Sequence, residues 1–533
     1  MPLLLSEAKS GYFLSFYLTL LLAWCSIPTF SFLSVQPFQQ IHGVTSKDKS
    51  IMGAVTSLFQ GDPQTKGTSD DADGKAKWNK VCEEFTAAIL DPSYLHYPIR
   101  GSTVNASLQY PSSFPDRPGL MPGTHKHLGG AYDPTDGCIY GVPANSRSIM
   151  CIYPDPEHGG EYRLKTIPLP ERIRNRQMKW LRGIVAHGYL WAIPSWADSV
   201  LCVDLDAYWG RRELPEGRDD VVLLIPLPEE HPKSMKWQWH GAGINHEQTA
   251  IYCIPSNAKK VLKVDIATKT TSFIDIEYDK EQYPDFTLDV TNKWYGGIVG
   301  DDNAVYGIPY RACAVLRIDA TDDTAKLIGP NYGVGKYFWH GGIKKNGKIY
   351  AHPSHASTVL VIDTKVESKG IVSELPIHRA EYDKDERQNY KWLGGIVGAD
   401  GNIYCPACDV SAILRIDVTT DYCETLGFAG TDKNKWQGGI LGRDNCIYCI
   451  PANGKHVCRI ATDPSIQGPL PVQLIGDLPA QADKWQGAAR GKDGALYFIP
   501  ENGYRVMRVT PPESPPVIVD GKLPENDVIV ELM

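Results

Sequence analysis

The feature that most constrains this chain is a unit that recurs after about residue 120. It reads Lys-aromatic-x-Gly-Gly-Ile-x-Gly, then Asp-Gly-x-Ile-Tyr-x-Ile-Pro, then Val-Leu-x-Ile-Asp. The prolines closing the second segment are Pro143, Pro194, Pro255, Pro309, Pro353, Pro406, Pro451 and Pro500, at intervals averaging about 51 residues. That period belongs to a four-stranded propeller blade. Within one unit, 391–397 reads as a first strand. Ala399-Asp400-Gly401-Asn402 is a tight turn, because glycine supplies the positive φ that a hairpin needs. Residues 402–404 continue as the second strand, ended by Pro406, which cannot donate to a central ladder. Residues 413–417 form the third, and 422–426 a weaker outer fourth, as do 221–225 and 472–475 in other units. The fold expected is all-β, an eight-bladed β-propeller of four-stranded blades over 120–525. Seven blades is the alternative, should one unit be displaced or the terminal units share a sheet.

At 533 residues the chain is too long for one ordinary compact domain, unless a repeat array spreads its core over many similar units. Its 49 Gly and 39 Pro favour turns over a long helical array. A net charge of −8 predicts no chain-wide attraction to nucleic acid or anionic lipid, so no nucleic-acid partner is expected.

The N-terminal residues differ from the rest. Lys9 precedes an apolar run over 12–24, about 13 residues, which matches a signal-peptide core and is short for a membrane span. Cleavage after Thr29-Phe30-Ser31 would leave Phe32 first and no stable membrane span. From there to about residue 60 the chain holds Ser, Thr and Gln, with Asp48 its only acidic residue. This arrangement resembles the two-part presequence of plastid proteins in algae with secondary plastids. The expectation is a signal or targeting segment over 1–31, a transit-like or linker segment over 32–75, a helical extension and lead-in over 76–119, and a C-terminal tail over 526–533. The compartment expected is the secretory pathway or extracellular space, with such a plastid as the alternative. Trp78, Val81, Phe85 and Ile89 recur at helical spacing after Asp70, Asp71 and Asp73, which suit a helix N-terminus.

Of 13 cysteines, Cys25 lies in the leader, and the even remainder invites disulfides. Several, however, fall on predicted strands, where cysteine serves as a small buried apolar residue. Cys405-Pro-Ala-Cys408 and Cys446-Ile-Tyr-Cys449 have a spacing that holds zinc when two pairs converge. The second pair sits at i and i+3 of a strand and so faces opposite ways, which favours packing.

The run 394–404, Gly-Gly-Ile-Val-Gly-Ala-Asp-Gly-Asn-Ile-Tyr, followed by Ile413-Leu414-Arg415-Ile416-Asp417, resembles the blade pattern of virginiamycin B lyase-like, NHL-type and gluconolactonase-like propellers. The resemblance implies the fold over about 400 residues. The lyase family uses a His/Glu pair with magnesium, and the gluconolactonase family a metal held by acidic and Asn residues. No motif of this chain receives those residues one by one, and the Lys-Trp-x-Gly-Gly signature is not theirs. Activity is therefore not inherited.

Function must lie in departures from the repeat. The aromatic residue before the paired glycines, at Trp180, Trp237, Trp294, Tyr337, Trp392, Trp436 and Trp485, suits the wedge between neighbouring blades. Lys126, Lys179, Lys236, Lys293, Lys336, Lys391, Lys435 and Lys484 would form a ring at the face where the first strands begin. Such a ring favours an anionic ligand, unless each lysine covers its neighbouring aromatic or pairs with the next blade. In the third and fifth units Trp239-His240 and Trp339-His340 read as an inserted pair that faces the funnel. His352 replaces the usual Ile before Pro353, with His355 close behind. Imidazoles gathered on one rim would bind a divalent metal or act as acid and base near neutral pH. Arg182 and His127 occupy positions otherwise held mainly by Gly and by aromatics. The leading expectation is a non-enzymatic binding or scaffold propeller presenting its loop face to a protein or small anionic ligand. The alternative is a lyase or hydrolase in which His240, His340 and His352 work at the funnel, with a divalent metal ion as the cofactor.

Overall fold

The repeat folds as its pattern requires. The computed structural model describes residues 121, 123–232, 234–380, 389–465 and 470–533. The targeting, linker and helical-extension segments expected over 1–119 lie outside the described residues. The described residues form one compact unit. In its second repeat the strands are Trp180–Ala186, Tyr189–Pro194, Ser199–Asp204 and Val222–Pro226, paired antiparallel in that order. The two middle strands are almost wholly buried, because a neighbouring blade covers each face, whereas the fourth is half-exposed at the rim.

Among the described residues, eight such four-stranded units follow one another, and the protein is an all-β propeller. The units make seven hydrogen-bonded sheets, because the fifth and sixth share one: Ile371–His378 runs parallel to Tyr422–Phe428 through the pairs Ile377↔Cys423 and His378↔Glu424. The terminal units stay in separate sheets. The expected tail over 526–533 is instead part of the last blade. Ile529–Leu532 pairs antiparallel with Met507–Thr510, which would otherwise leave an open edge; Val530 is buried and Glu531 pairs with Arg508.

One repeat position joins the blades. The residue at the start of each first strand donates its backbone N–H to a carbonyl just after the closing proline of the preceding blade, at 2.7–3.1 Å. The bonds run from Lys179 to Ala144, Gln238 to Ser195, Lys293 to Ser256, Phe338 to Tyr310, Lys391 to Ser354, Lys435 to Cys408 and Lys484 to Ala452, and the circuit closes from Lys126 to Glu501. Each of those acceptor residues in turn donates its own N–H to the joining residue of its own blade, as Ser195 does to Lys179 at 2.9 Å. Backbone hydrogen bonds thus run unbroken around eight units.

This register corrects two expectations. The third and fifth units carry no inserted pair. Trp239 pairs with Pro255 and Trp339 with Pro353, as Trp180 pairs with Pro194. Trp239 and Trp339 are therefore the wedge residues, while Trp237 and Tyr337 lie two residues earlier, in the loop. Trp237 has φ 52°, matching Met178 at φ 48° in the second unit. All the wedge tryptophans are buried, and their indole Nε1 atoms donate to a carbonyl at the start of the third strand, for instance Trp180 to Ser199 at 2.8 Å and Trp339 to Thr358 at 2.8 Å. Trp239 and Trp339 are thus blade packing rather than surfaces open to a ligand.

The lysines, likewise, do not form an open ring. Lys126, Lys179, Lys293, Lys391, Lys435 and Lys484 are buried. Their ammonium groups turn back onto carbonyls of the joining region: Lys179 Nζ donates to Ala144, Ser146 and Arg176, and Lys435 Nζ to Cys408, Val410 and Asp432. In the third unit Gln238 Nε2 does the same toward Ser195 and Ala197, and in the fifth Phe338 holds the position without a polar group. Lys236 and Lys336 fall outside this register and are exposed, Lys236 lying over the Trp196 ring at 4.4 Å. Carbonyl dipoles only partly replace water, so burial lowers the pKa of Lys179 to about 8 and of Lys293 to about 7.

At the opposite face the turn aspartates hold the strands in register. Asp302, Asp444 and Asp493 each accept from the tyrosine four residues on and from an arginine of the third strand, as in Tyr306 Oη at 2.8 Å and Arg317 Nη2 at 2.8 Å on Asp302. The eleven cysteines among the described residues are all buried, and none is in a disulfide.

The buried lysine predicts its own test. Lys179→Met leaves carbonyls without a donor and is expected to destabilise by about 2 kcal/mol, seen as a lower thermal midpoint. Lys179→Gln, which copies the third blade, should recover much of the loss. A Met variant as stable as the parent would show that the ammonium contributes nothing to holding the blades.

Candidate functional site

Two residues after each wedge position the first strand bulges. Seven blades place glycine there, at Gly129, Gly241, Gly296, Gly341, Gly394, Gly438 and Gly487, all with φ between 76° and 140°. The bulge needs this left-handed backbone, where a Cβ is disfavoured by roughly 1–2 kcal/mol. The second blade puts Arg182 at the same point, with φ 63°. A charged side chain held at such a cost is a departure that packing does not require.

Arg182 lies beside the bulge of the preceding blade. A Cβ on Gly129 would stand 3.5 Å from Arg182 Cγ. Solvent reaches the arginine, yet the surrounding strands wall it in, and that burial lowers its pKa while the nearby Tyr295 hydroxyl opposes the shift. Among the described residues no carboxylate forms an ion pair with it.

The residue just before the bulge is His240 in the third blade, Tyr295 in the fourth and His340 in the fifth. The His240 imidazole stacks on Tyr295 at 3.6 Å between centroids, and His340 stands edge-on to Tyr295 at 5.1 Å. His240 and His340 are 6.2 Å apart although a whole blade separates them. Side chains of non-adjacent blades meet only close to the axis, so these rings converge on the central funnel.

His352 lies beneath them. It is the penultimate residue of the second strand of the fifth blade, where Ile193, Ile254, Ile308, Ile450 and Ile499 stand elsewhere, and it packs 3.6 Å from where a Cβ on Gly341 would be. It is 4% exposed, and neither ring nitrogen makes a full hydrogen bond; Nδ1 of His240 also lacks a partner. Burial, reinforced by the charge of Arg182, lowers His240 well below its usual pKa and His340 to about 4. His352 falls to about 3, again chiefly through burial, only partly opposed by the backbone of His340. The three imidazoles are neutral at pH 7.

The remaining sequence candidates lie apart. His127 takes the wedge position of the first blade, buried, with Nδ1 donating to the Pro500 carbonyl at 3.2 Å. His355 sits farther out, edge-on to Tyr337 and Tyr390 at 5.3 and 4.8 Å. The magnesium or other metal implied by the family resemblance does not fit: among the described residues no three His, Cys, Asp or Glu side chains converge as ligands, the histidines and the two C-x-x-C pairs included.

Sequence reasoning missed Tyr295 and Tyr310. Tyr310 lies 4.2 Å from Tyr295 and 4.8 Å from Tyr337, extending the aromatic cluster outward from the axis. Its signal was available, since the position after the closing proline is Ala, Ser or Glu in most blades and Tyr here.

The fold defined by this topology is that of a β-propeller with an irregular axial funnel. No protein-family model matches the chain, and no curated protein matches it. Among solved structures it is similar to a streptogramin B lyase, at 15% identity and a TM-score of 0.42 over 62% of this chain and 93% of that one. It is also similar to virginiamycin B lyase from Staphylococcus aureus, at 12% and 0.40 over 72% and 94%. A third similar structure is the extracellular domain of a one-component system of B. thetaiotaomicron, at 11% and 0.39 over 71% and 52%. Likeness at this level carries no argument about activity.

The buried imidazoles set a pH dependence. His352 takes up a proton near pH 6.5 when unfolded but only near pH 3 when folded. Its contribution is therefore fully present above about pH 6.5 and is lost as pH falls below that value, by about 2 kcal/mol at pH 5. His352→Ile should shrink the drop in thermal midpoint between pH 7.5 and pH 5. An unchanged drop would mean that this imidazole is not held neutral.

Proposed function

We propose that this protein is a non-enzymatic binding propeller whose funnel holds a small anionic ligand, with Arg182 as the anchor. The observation that carries this reading is Arg182 itself: a guanidinium without a carboxylate, placed near the axis at a backbone position that glycine fills in the other seven blades. A cation in a walled funnel attracts an anion even on a protein of net charge −8, because the local field decides. His240, His340 and Tyr295 supply neutral polar edges around it.

The lyase or hydrolase reading draws less support. Among the described residues no carboxylate is hydrogen-bonded to His240, His340 or His352 to orient it, and imidazoles with pKa values of about 4 and about 3 are weak bases at neutral pH. A protein partner on the loop face remains compatible with the same cation. Passage through the secretory pathway rests on the leader-like residues 1–31. Within the described residues no helix is long and apolar enough to cross a membrane.

The test compares wild type with Arg182→Gly in thermal unfolding at constant ionic strength, with sodium formate, acetate, phosphate and sulfate each replacing chloride. At least one salt should raise the wild-type midpoint by several degrees and leave the variant unmoved, and that anion should be recovered chemically unchanged after prolonged incubation. Without anion, Arg182→Gly should be as stable as wild type or more so, by about 1 kcal/mol. Equal shifts in both proteins would remove the anchor role, and conversion of the anion would return the enzyme reading.

A further inference from the structure

We propose that the anion this funnel accepts is an organic monocarboxylate carried on an apolar ring. The proposal rests on the anion-binding reading above and narrows it. Three observations bear on the class of ligand.

The first is charge. Among the described side chains at the bulge and at the position before it only Arg182 is a cation, since the three histidines are neutral, the lysines of the joining circuit face carbonyls, and Lys236 and Arg311 lie over the Trp196 and Tyr337 rings. One cation matches one negative charge. A phosphate dianion or a sulfate would bring a second negative charge with no cation at the bulge to meet it.

The second is geometry. A guanidinium offers a planar fork that meets a carboxylate in two parallel hydrogen bonds, a fit that an ammonium cannot reproduce. The neutral edge of His240, with Nδ1 buried and unpartnered, and the orphaned nitrogens of His352 beneath it are groups that gain when a polar ligand, or the water it orders, arrives.

The third is the wall. Leu181, one residue before the arginine, packs with Leu128 and Met178 beneath the half-buried Trp196 and Trp237. On the other side the Tyr295–Tyr310 stack leads away from the axis. The cation is thus flanked by apolar and aromatic surface in two directions, which suits a ring-shaped body rather than a bare inorganic ion.

Calorimetric titration of the full chain with benzoate, acetate, phosphate and sulfate, at fixed ionic strength and pH 7.5, tests this directly. Benzoate should bind saturably at one site, with acetate at least tenfold weaker and the inorganic anions without a saturable signal. Arg182→Gly should weaken benzoate more than tenfold, with Arg182→Lys intermediate, because it restores the charge but not the fork. A thermal midpoint without ligand at or above that of wild type shows that each variant is folded. If phosphate or sulfate binds best and loses its binding in Arg182→Gly, the anchor stands and the carboxylate class is wrong. If acetate equals benzoate, the ring is wrong. If no anion binds in a way that depends on Arg182, both this inference and the reading beneath it fall.

Discussion

The structure depends on a circuit of backbone hydrogen bonds that no single blade could make alone. Each first strand begins by donating to the carbonyl behind the proline of the blade before it, and the series returns on itself between Lys126 and Glu501. The buried ammonium groups reinforce this circuit. They occupy positions where an open carbonyl would otherwise be dry and unsatisfied, so polar groups, not only the tryptophan wedges, fix the spacing of the sheets. The same side chains that look like a ligand-binding ring in the sequence are thereby consumed by the architecture.

Once those lysines are accounted for, little charge is left near the axis, which is why Arg182 stands out. Symmetry supplies the background against which it can be judged: seven blades show what the bulge prefers, and the eighth pays for something else. His352 repeats the pattern one layer down, an imidazole in a slot built for isoleucine. Burial above all lowers the pKa of His352, and the charge of Arg182 adds a smaller effect in the same direction. Irregularity in this molecule is clustered rather than scattered.

Much of the fold was legible because proline and glycine mark strand ends by local chemistry, and the eight prolines close second strands as their spacing implies. What failed was register. Trp237 and Tyr337 precede the true wedges by two residues, and both are aromatic and follow a lysine, so local pattern favours the wrong partner. Counting back from the proline separates Trp237, which stands 18 residues before it where the wedge tryptophans stand 14 to 16, but not Tyr337, which stands 16 before Pro353. Burial of the lysines was not legible, because their acceptors lie in the preceding unit, outside any single repeat. The last strand was misread for a similar reason: 529–532 has ordinary apolar alternation, but the linker before it is long, and only the waiting edge at Met507–Thr510 gives it a place. His240, His340 and His352 were found as departures from the repeat. Their meeting across an intervening blade depends on the radius of the ring, which sequence spacing does not contain.

The first and last blades each use four strands drawn from one stretch of chain, and neither lends a strand to the other. The junction between them is made by contacts of the same kind found at other junctions, together with His125, whose backbone N–H meets Asn502 and whose ring meets Glu501. The order of the blades along the polypeptide is therefore separable from their order in space. A cyclically permuted gene, opened at another inter-blade loop and sealed across the present junction by a linker, would encode the same circle with Arg182 and His352 still facing one another's surroundings.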